Sequence, residues 1–304
     1  MASVTLAESA KLSQDMLIAG VIANVITVSQ VYEMIPFDGI TGNSLAYNRE
    51  NVLGDVQFLG VGGTITAKNA ATFTKVNSDL TTIIGDAEVN GLIQATRSNI
   101  TNQEATQVAS KAKSAGRQFQ NTFINGTGAN DTFPGLVALC PASQTLNTAV
   151  NGEALTFERM DELLDQVIAK DGQVDFLMGH SKLIRKYKSL LRALGGAQID
   201  DMFEMPSGNR VIAYSGVPFF RNDWVPTDQT RGTGTALTTL FAGCWDDGSQ
   251  KVGITGITAE ESSGLVVEDV GISFTKDERV TRVKWYVGMA LFSEKALAMA
   301  PGIS

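Results

Sequence analysis

The chain is short of the residues that most site chemistry needs. Its 304 residues hold one histidine, His180, and two cysteines, Cys140 and Cys244. One imidazole excludes a multi-histidine metal site, and two thiols cannot build a disulfide framework. Charge is scarce as well: Asp, Glu, Lys and Arg make up 18% of the chain, against a usual share of about 25%. The balance is acidic, with 24 basic and 32 acidic residues for a net charge of −8. That excludes a broad nucleic-acid clamp, because phosphate binding needs Lys and Arg. Long apolar runs are missing too. Leu17 to Val28 is broken by Gly20 and Asn24 and is too short to span a bilayer. Glu8 and Asp15 outnumber Lys11 ahead of it, so no cationic export signal precedes it. Neither a membrane nor an export route is expected, and the sequons at Asn99 and Asn125 carry no weight without one. The expected compartment is reducing.

Glycine is plentiful, 30 of 304 residues against a usual share of about 7%. Few charges and many glycines suit a surface consumed by neighbours, since charge is depleted at interface cores. A monomeric enzyme with a low-charge surface reads alike. At roughly 150 residues per domain, the length fits two units or one elaborate unit with ample core.

Residues 1–35 read as an arm, a short amphipathic stretch followed by Val31 to Pro36, where proline halts regular structure. An arm cannot bury its own apolar residues and must lie on its own body or on a neighbour's. Ser44–Asn51 and Ala70–Asn77 alternate like strands around the turn-rich Leu59–Thr64, which predicts a long hairpin with a flexible tip. The hairpin reads as poor in large apolar residues. An isolated hairpin is marginal in water, so this one gains order against another subunit or against its own domain. Asp79 to Val89 reads as a further strand.

The clearest helix follows. Thr101 and Glu104 form a capping box, and Ala105, Val108, Ala109, Ala112, Ala115, Phe119 and Phe123 make one apolar stripe. Asn125-Gly126 ends it with a residue tolerant of left-handed geometry, after about 35 Å at 1.5 Å per residue. Thr156 caps a second helix faced by Phe157, Met160, Leu163, Leu164, Val167 and Ile168, ending at Asp171-Gly172. Val174–Met178 is a buried strand. Ser181 caps a third helix, with Leu183, Ile184, Tyr187, Leu190, Leu191 and Leu194 inward and Gly195-Gly196 as the stop. Short strands are expected at Arg210–Tyr214, Val217–Phe220, Leu237–Gly243 and Lys251–Ile257, with a mobile loop at Thr227 to Thr235. Two long strands close the chain: Val270, Ile272 and Phe274 alternate before the turn Thr275–Arg279, and Val283, Trp285, Val287, Met289 and Leu291 after it.

Candidate chemistry is thin, and no catalytic, cofactor-binding or metal-ligating residue is expected. No phosphate-binding loop exists, and Gly60, Gly62, Gly63, Gly126 and Gly128 read as turn residues. Cys140 and Cys244 read as small buried hydrophobes. His180 reads as a capping or packing residue, because a serine adjacent in sequence, Ser181, is not a nucleophile held at hydrogen-bonding distance and no G-x-S-x-G elbow is present. Carboxylate pairs occur at Asp200-Asp201, Asp246-Asp247, Glu260-Glu261 and Glu268-Asp269. General acid–base work needs two carboxyl groups facing each other in a cleft, and solvated loop charge is the default. The third helix carries Lys182, Arg185, Lys186, Lys188 and Arg192 with no acid between them. Three readings stand: a solvated face, pairing with acids of a neighbouring subunit such as Glu158, Asp161, Glu162 and Asp165, or contact with DNA phosphates.

The order of elements resembles the major capsid proteins of tailed double-stranded DNA phages, with the Hong Kong-97-type fold. The carriers are Ser110–Gly128, similar to the end of the family's long spine helix; Phe133–Leu136 soon after; Ser215–Phe220, similar to its G-x-P-V strand; and Arg282–Ile303, similar to its closing strand and tail. The resemblance implies an α+β chain with an N-terminal arm (1–35), an extended E-loop hairpin (36–78), a peripheral domain with the spine helix (79–130), an axial domain (131–264) and C-terminal strands returning to the peripheral domain (265–304). It implies pentamers and hexamers of identical subunits that form an icosahedral virion shell, assembled in the bacterial host cytoplasm around DNA bound without sequence specificity. A portal, a decoration protein and a separate scaffolding protein are further implied partners, the last because the arm starts near Met1. Some relatives join an E-loop lysine to an asparagine covalently. Lys68 and Lys75 lie in or near the hairpin, but no partner is identifiable in the sequence, so no cross-link is expected. The alternatives are an encapsulin-type nanocompartment shell and, from another class, a soluble α/β hydrolytic enzyme using a carboxylate pair.

Overall fold

A computed structural model describes residues 34–97, 103–146, 149–169, 172–193, 202–206, 208–248, 252–262 and 264–304. The expected arm up to residue 33, Thr101 of the capping box, the Gly195-Gly196 stop and the Asp200-Asp201 pair lie outside the described residues.

Two sheets share one core. The first is organised by β13 (Glu278–Leu291), the longest strand. Along one edge β13 pairs antiparallel with β4 (Thr81–Asn90), from Glu278↔Asn90 to Val287↔Thr81. Along its other edge lie two strands end to end, β12 (Val266–Ile272) against residues 279–284 and β11 (Ile254–Ala259) against residues 287–291. β1 (Phe37–Ile40) runs parallel to β11 outside it. Val283, Trp285, Val287, Met289 and Leu291 are all buried, as the period of two predicts. Val270, Ile272 and Phe274 instead stay exposed. β12 is an edge strand, and a bulge between Asp269 and Gly271, where Gly271 takes φ +95°, breaks its alternation.

The long helix α2 (Gln103–Asn125) follows α1 (Gly91–Arg97) and packs on β4 and β13. Its stripe is buried only at the C-terminal end, at Phe119, Thr122, Phe123 and Ile124, whereas Ala105 and Ala109 are exposed. The core lies where the helix passes between the two sheets, so small residues further back meet no second layer. Glu104 accepts a hydrogen bond from the Thr281 hydroxyl at 2.9 Å and lies 3.4 Å from Arg279. Gly126 ends the helix by close approach rather than by left-handed geometry. A Cβ there would sit 2.2 Å from the Phe133 carbonyl oxygen, and the positive φ falls on Gly128.

The second sheet runs β14-β10-β5-β8-β7-β6, with β9 beside β10. Its strands are β5 (Phe176–Gly179), β6 (Met202–Glu204), β7 (Arg210–Tyr214), β8 (Val217–Arg221), β9 (Gln229–Arg231), β10 (Gly234–Gly243) and β14 (Leu297–Ile303). The stretch read as a mobile loop thus contains β9, which pairs Arg231 with Gly234 and Gln229 with Leu237. Alternate residues serve two layers. Phe176, Met178, Phe220, Phe241 and Leu297 face a core shared with α2, with the short α3 (Leu136–Leu139) and with β13. Leu177, Phe219, Leu240, Ala298 and Ala300 face α4 (Phe157–Ile168) and α5 (Ser181–Ala193) on the other side. The Thr156 hydroxyl caps α4, accepting from the Arg159 amide at 3.2 Å. Ser181 is the first residue of α5 rather than its cap; the ring of His180 takes that role, its Nδ1 accepting from the Lys182 amide at 3.1 Å.

β11 pairs with β13 in the first sheet and β14 with β10 in the second, so both sheets join residues far apart in sequence. The third sheet is the hairpin of β2 (Ser44–Val52) and β3 (Thr72–Asp79), paired from Ser44↔Asp79 to Val52↔Thr72.

Charge in the first sheet is paired across strands. Arg282 donates twice to Asp86, at 2.8 and 2.9 Å. Arg279 meets Asp269 at 2.6 Å and Lys284 meets Glu268 at 2.6 Å. The Arg282 hydrogen bond holds the Asp86 carboxyl below its ordinary range.

Two outcomes follow from this packing. Phe119 is buried against Trp285, with ring centroids 4.8 Å apart, so Phe119→Ala should lower unfolding free energy by about 3–5 kcal/mol in chemical denaturation. A folded pKa held below the unfolded one stabilises the protein above the unfolded value, and that stability fades as pH falls through the folded value. Asp86→Asn should therefore cost about 1 kcal/mol at pH 7. Denaturation midpoints of variant and native protein should converge as the pH drops below about 4.

Candidate functional site

The hairpin leaves most of its surface uncovered. Its strands bury little, because no second layer covers them, and its attachment lies at the base. There the Tyr47 hydroxyl donates to the Leu291 carbonyl at 2.7 Å. The Arg49 guanidinium donates to the Leu291 and Phe292 carbonyls at 2.7 and 2.9 Å and pairs with Glu294 at 2.6 Å. Leu45, Tyr47 and Leu80 close a small core with Ile40, Ile257, Ala290 and Phe292. Beyond this base, residues 53–71 hold their shape through side chains that replace ladder hydrogen bonds. The Gln57 carboxamide oxygen accepts from the Thr66 and Ala67 amides at 2.9 and 2.8 Å, and Asp55 accepts from Asn69 at 2.7 Å.

The reading of this hairpin as poor in large apolar residues needs correction. Leu53, Val56, Phe58, Val61, Ile65 and Phe73 are all exposed, Val56 at 94%. Scattered apolar residues on a surface mean little, but a row of them on a projecting element marks a contact with another molecule. The signal was present in the sequence, hidden because glycines separate these residues and no period links them. The exposed Val267, Val270, Ile272 and Phe274 of β12 add a second apolar edge.

Residues weighed for chemistry are occupied structurally. Burial raises the Cys140 thiol to about 11 and the Cys244 thiol to about 12, the latter also because Asp175 lies beside it, so both stay protonated. Glu268 and Asp269 are held below the ordinary carboxylate range by Lys284 and Arg279, which unfits them as general acids. Contrary to the sequence reading, Ser181 Oγ does come within 3.3 Å of His180 Nδ1. That nitrogen already caps α5, while Nε2 lies 3.8 Å from Asp223, whose carboxylate is hydrogen-bonded by Arg221. Desolvation also lowers the imidazole's affinity for a proton. The trio is a helix cap with an ion pair beside it. Asn125 donates to Asn121 and to the Trp224 carbonyl, closing the end of α2. Among the described residues no cluster of three His, Cys, Asp or Glu side chains suits a metal, and no helix is long and apolar enough to cross a membrane. A cavity of about 620 Å³ lies at the hairpin base, lined by Asp38, Leu45, Tyr47 and Phe292, and it holds no such cluster either.

What this geometry offers is contact surface, and comparison with known proteins agrees. Residues 59–205 match the family described as SU10 major capsid protein. A search of curated proteins finds no match. Among solved structures, the holo-SrpI encapsulin complex from Synechococcus elongatus PCC 7942 superposes with a TM-score of 0.73 at 18% identity, covering 100% of this chain and 97% of that one. Microbacterium phage Oxtober96 gives a TM-score of 0.65 at 15% identity, covering 100% of both chains. The capsid of Myoviridae phage XM1 gives 0.64 at 11% identity, covering 95% of this chain and 96% of that one. At such identities the structures show the fold alone, and the family match spans just under half of the chain. Together they show a Hong Kong-97-type capsid fold over the whole chain and a similarity of residues 59–205 to the SU10 major capsid protein family.

Proposed function

We propose that copies of this chain close into pentamers and hexamers, and that each hairpin lies across a neighbouring subunit within the head shell around packaged double-stranded DNA. The observation that carries this reading is the apolar row from Leu53 to Phe73 on an element with no core of its own. Burying apolar surface gains about 25 cal/mol per Å², so a partner that covers these side chains supplies the order the hairpin lacks alone. In the same reading, residues 1–35 are the arm, 36–78 the E-loop and 79–130 the peripheral segment with the spine helix. The axial domain spans 131–264, and 265–304 return to the periphery. Sheet pairing argues for two transfers, β11 to the periphery and β14 to the axial sheet. A scaffolding protein, a portal and a decoration protein are further partners in this reading.

A second reading is favoured by the encapsulin superposition, whose TM-score exceeds those of the two phage structures. There the same shell would enclose protein cargo. The exposed hairpin serves either shell equally, so the enclosed material decides. Nuclease-protected DNA in purified particles supports the phage head, and co-purifying protein without DNA supports the nanocompartment.

Deleting Asn51–Ala70 should leave the circular dichroism spectrum and melting temperature of the body unchanged while abolishing particles in electron microscopy. A truncated chain that unfolds would place the hairpin in the core and overturn the reading. Lys68 and Lys75 are both exposed, yet no covalent partner is proposed for either. Mature particles should therefore run as a single monomer band on a denaturing gel, and a ladder of multimers would refute that.

A further inference from the structure

Two helices on one face of the second sheet carry opposite charge at matching intervals. α4 buries Met160, Leu163, Leu164 and Val167 and turns Glu158, Asp161, Glu162 and Asp165 outward. α5 buries Leu183, Tyr187 and Leu191 and turns Arg185 and Arg192 outward, with Lys188 half-buried between them. Within the subunit Glu162 pairs with Arg159, and Asp161 accepts a hydrogen bond from Tyr214 at 2.6 Å. Glu158 and Asp165 make no ion pair with any described residue, and neither do Arg185, Lys188 and Arg192. Each helix thus carries a pair of exposed like charges seven residues apart, about 10.5 Å along either axis, with exposed Lys186 beside Arg185 and exposed Asp161 between the two acids. The two rows do not meet inside one subunit. Where α4 and α5 approach each other, the contact is aromatic: the Phe157 and Tyr187 rings are 6.1 Å apart, and Tyr214 closes on both.

α4 packs over β14 and β10, at one end of the sheet, and α5 over β5 and β8, nearer its middle. A ring of identical subunits needs a heterologous contact, in which one patch meets a different patch of the next copy. We infer that the Arg185/Arg192 row of α5 docks on the Glu158/Asp165 row of α4 in the adjacent copy, and that this charge match sets the register of subunits within a ring. The inference rests on the shell function proposed above and names the contact that orders it. DNA phosphate is the poorer occupant of the basic row, because the acidic face of α4 stands beside it and would repel the same polyanion. An isolated surface ion pair is worth little, but a pair of rows repeated around a closed ring acts as a network and penalises wrong registers.

A charge swap tests this with the full chain. Arg185→Glu with Arg192→Glu should lower particle yield at least about tenfold, as should Glu158→Arg with Asp165→Arg, because each places like charges opposite one another. All four substitutions together should restore yield to within about threefold of the native protein, since coupled sites are non-additive. Unchanged assembly in either double variant would overturn the inference, showing a solvated face. Loss in both doubles without rescue would overturn it too, because the rows would then meet other partners. Loss of packaged DNA with intact shells in the α5 variant would assign that row to phosphate. Circular dichroism of each variant checks the fold. Should a reversal unfold the subunit, the neutral set Arg185→Gln, Arg192→Gln, Glu158→Gln and Asp165→Asn replaces it, and the denaturant midpoint of shell dissociation reads the coupling, with additive effects counting against the contact. Native protein that never forms particles would count against the shell function itself.

Discussion

β13 is the strand on which the rest of the molecule depends. It is hydrogen-bonded on both edges over most of its length, and its inward row from Trp285 to Leu291 reaches the same core as α2 and the second sheet. The carbonyls at its end, Leu291 and Phe292, are the ones that Tyr47 and Arg49 grasp to hold the hairpin. Buried backbone carbonyls need donors. Arg49 supplies several at once, so the polar demand at the end of the strand becomes the anchor of the projecting element. One strand therefore joins three sheets, and force applied to the hairpin passes into the most thoroughly buried part of the chain.

That arrangement separates two kinds of stability. The body buries Phe119, Phe123, Phe133, Phe176, Phe219, Phe220 and Phe241 almost completely, and phenylalanine dominates core energetics through its large buried area. The hairpin tip has no such ring inside it and keeps its conformation through Gln57 and Asp55. A polar scaffold of that kind costs little to deform, so the tip can adjust to the surface that receives it while the base stays fixed. In the proposed shell, a subunit that meets neighbours around both five- and six-fold axes would need that combination, since the receiving surface would not be presented at one angle.

Much of this was legible in the sequence. Helix α4 with its Thr156 cap, the alternation of β13 and the hairpin strands all emerge from periodicity and turn chemistry, which are local. The failures have a common physical source, because they concern what lies opposite an element. The small residues of α2 form a proper stripe, yet Ala105 and Ala109 find no second layer. Val270 and Ile272 alternate as a buried strand would, and a bulge on an edge turns them to the surface. The partners of β11 and β14 are not local either, because strand pairing joins residues far apart in sequence. His180 was legible as a cap but not as the specific cap of α5, since that depends on where its ring nitrogen falls. The apolar tip was misread for a different reason: a surface that awaits a partner carries no period.

The scarcity of charge takes on a sharper meaning once the pairs are placed. In the first sheet, Asp86, Glu268 and Asp269 are matched by Arg282, Lys284 and Arg279 within the subunit. Those charges are unavailable for long-range attraction between copies, and the apolar hairpin is non-directional in its preference. Apolar burial alone favours contact without favouring one register. The rows on α4 and α5 are among the charges that remain outward, they are opposite in sign, and they sit on elements held rigid by a packed sheet. Specificity in such an assembly is a difference between right and wrong registers, and charge of fixed spacing penalises the wrong ones in a way that apolar area does not. In the proposed shell the division of labour is then physical: the hairpin would supply adhesion between copies, and the outward charges of α4 and α5 would decide which adhesion is allowed to close.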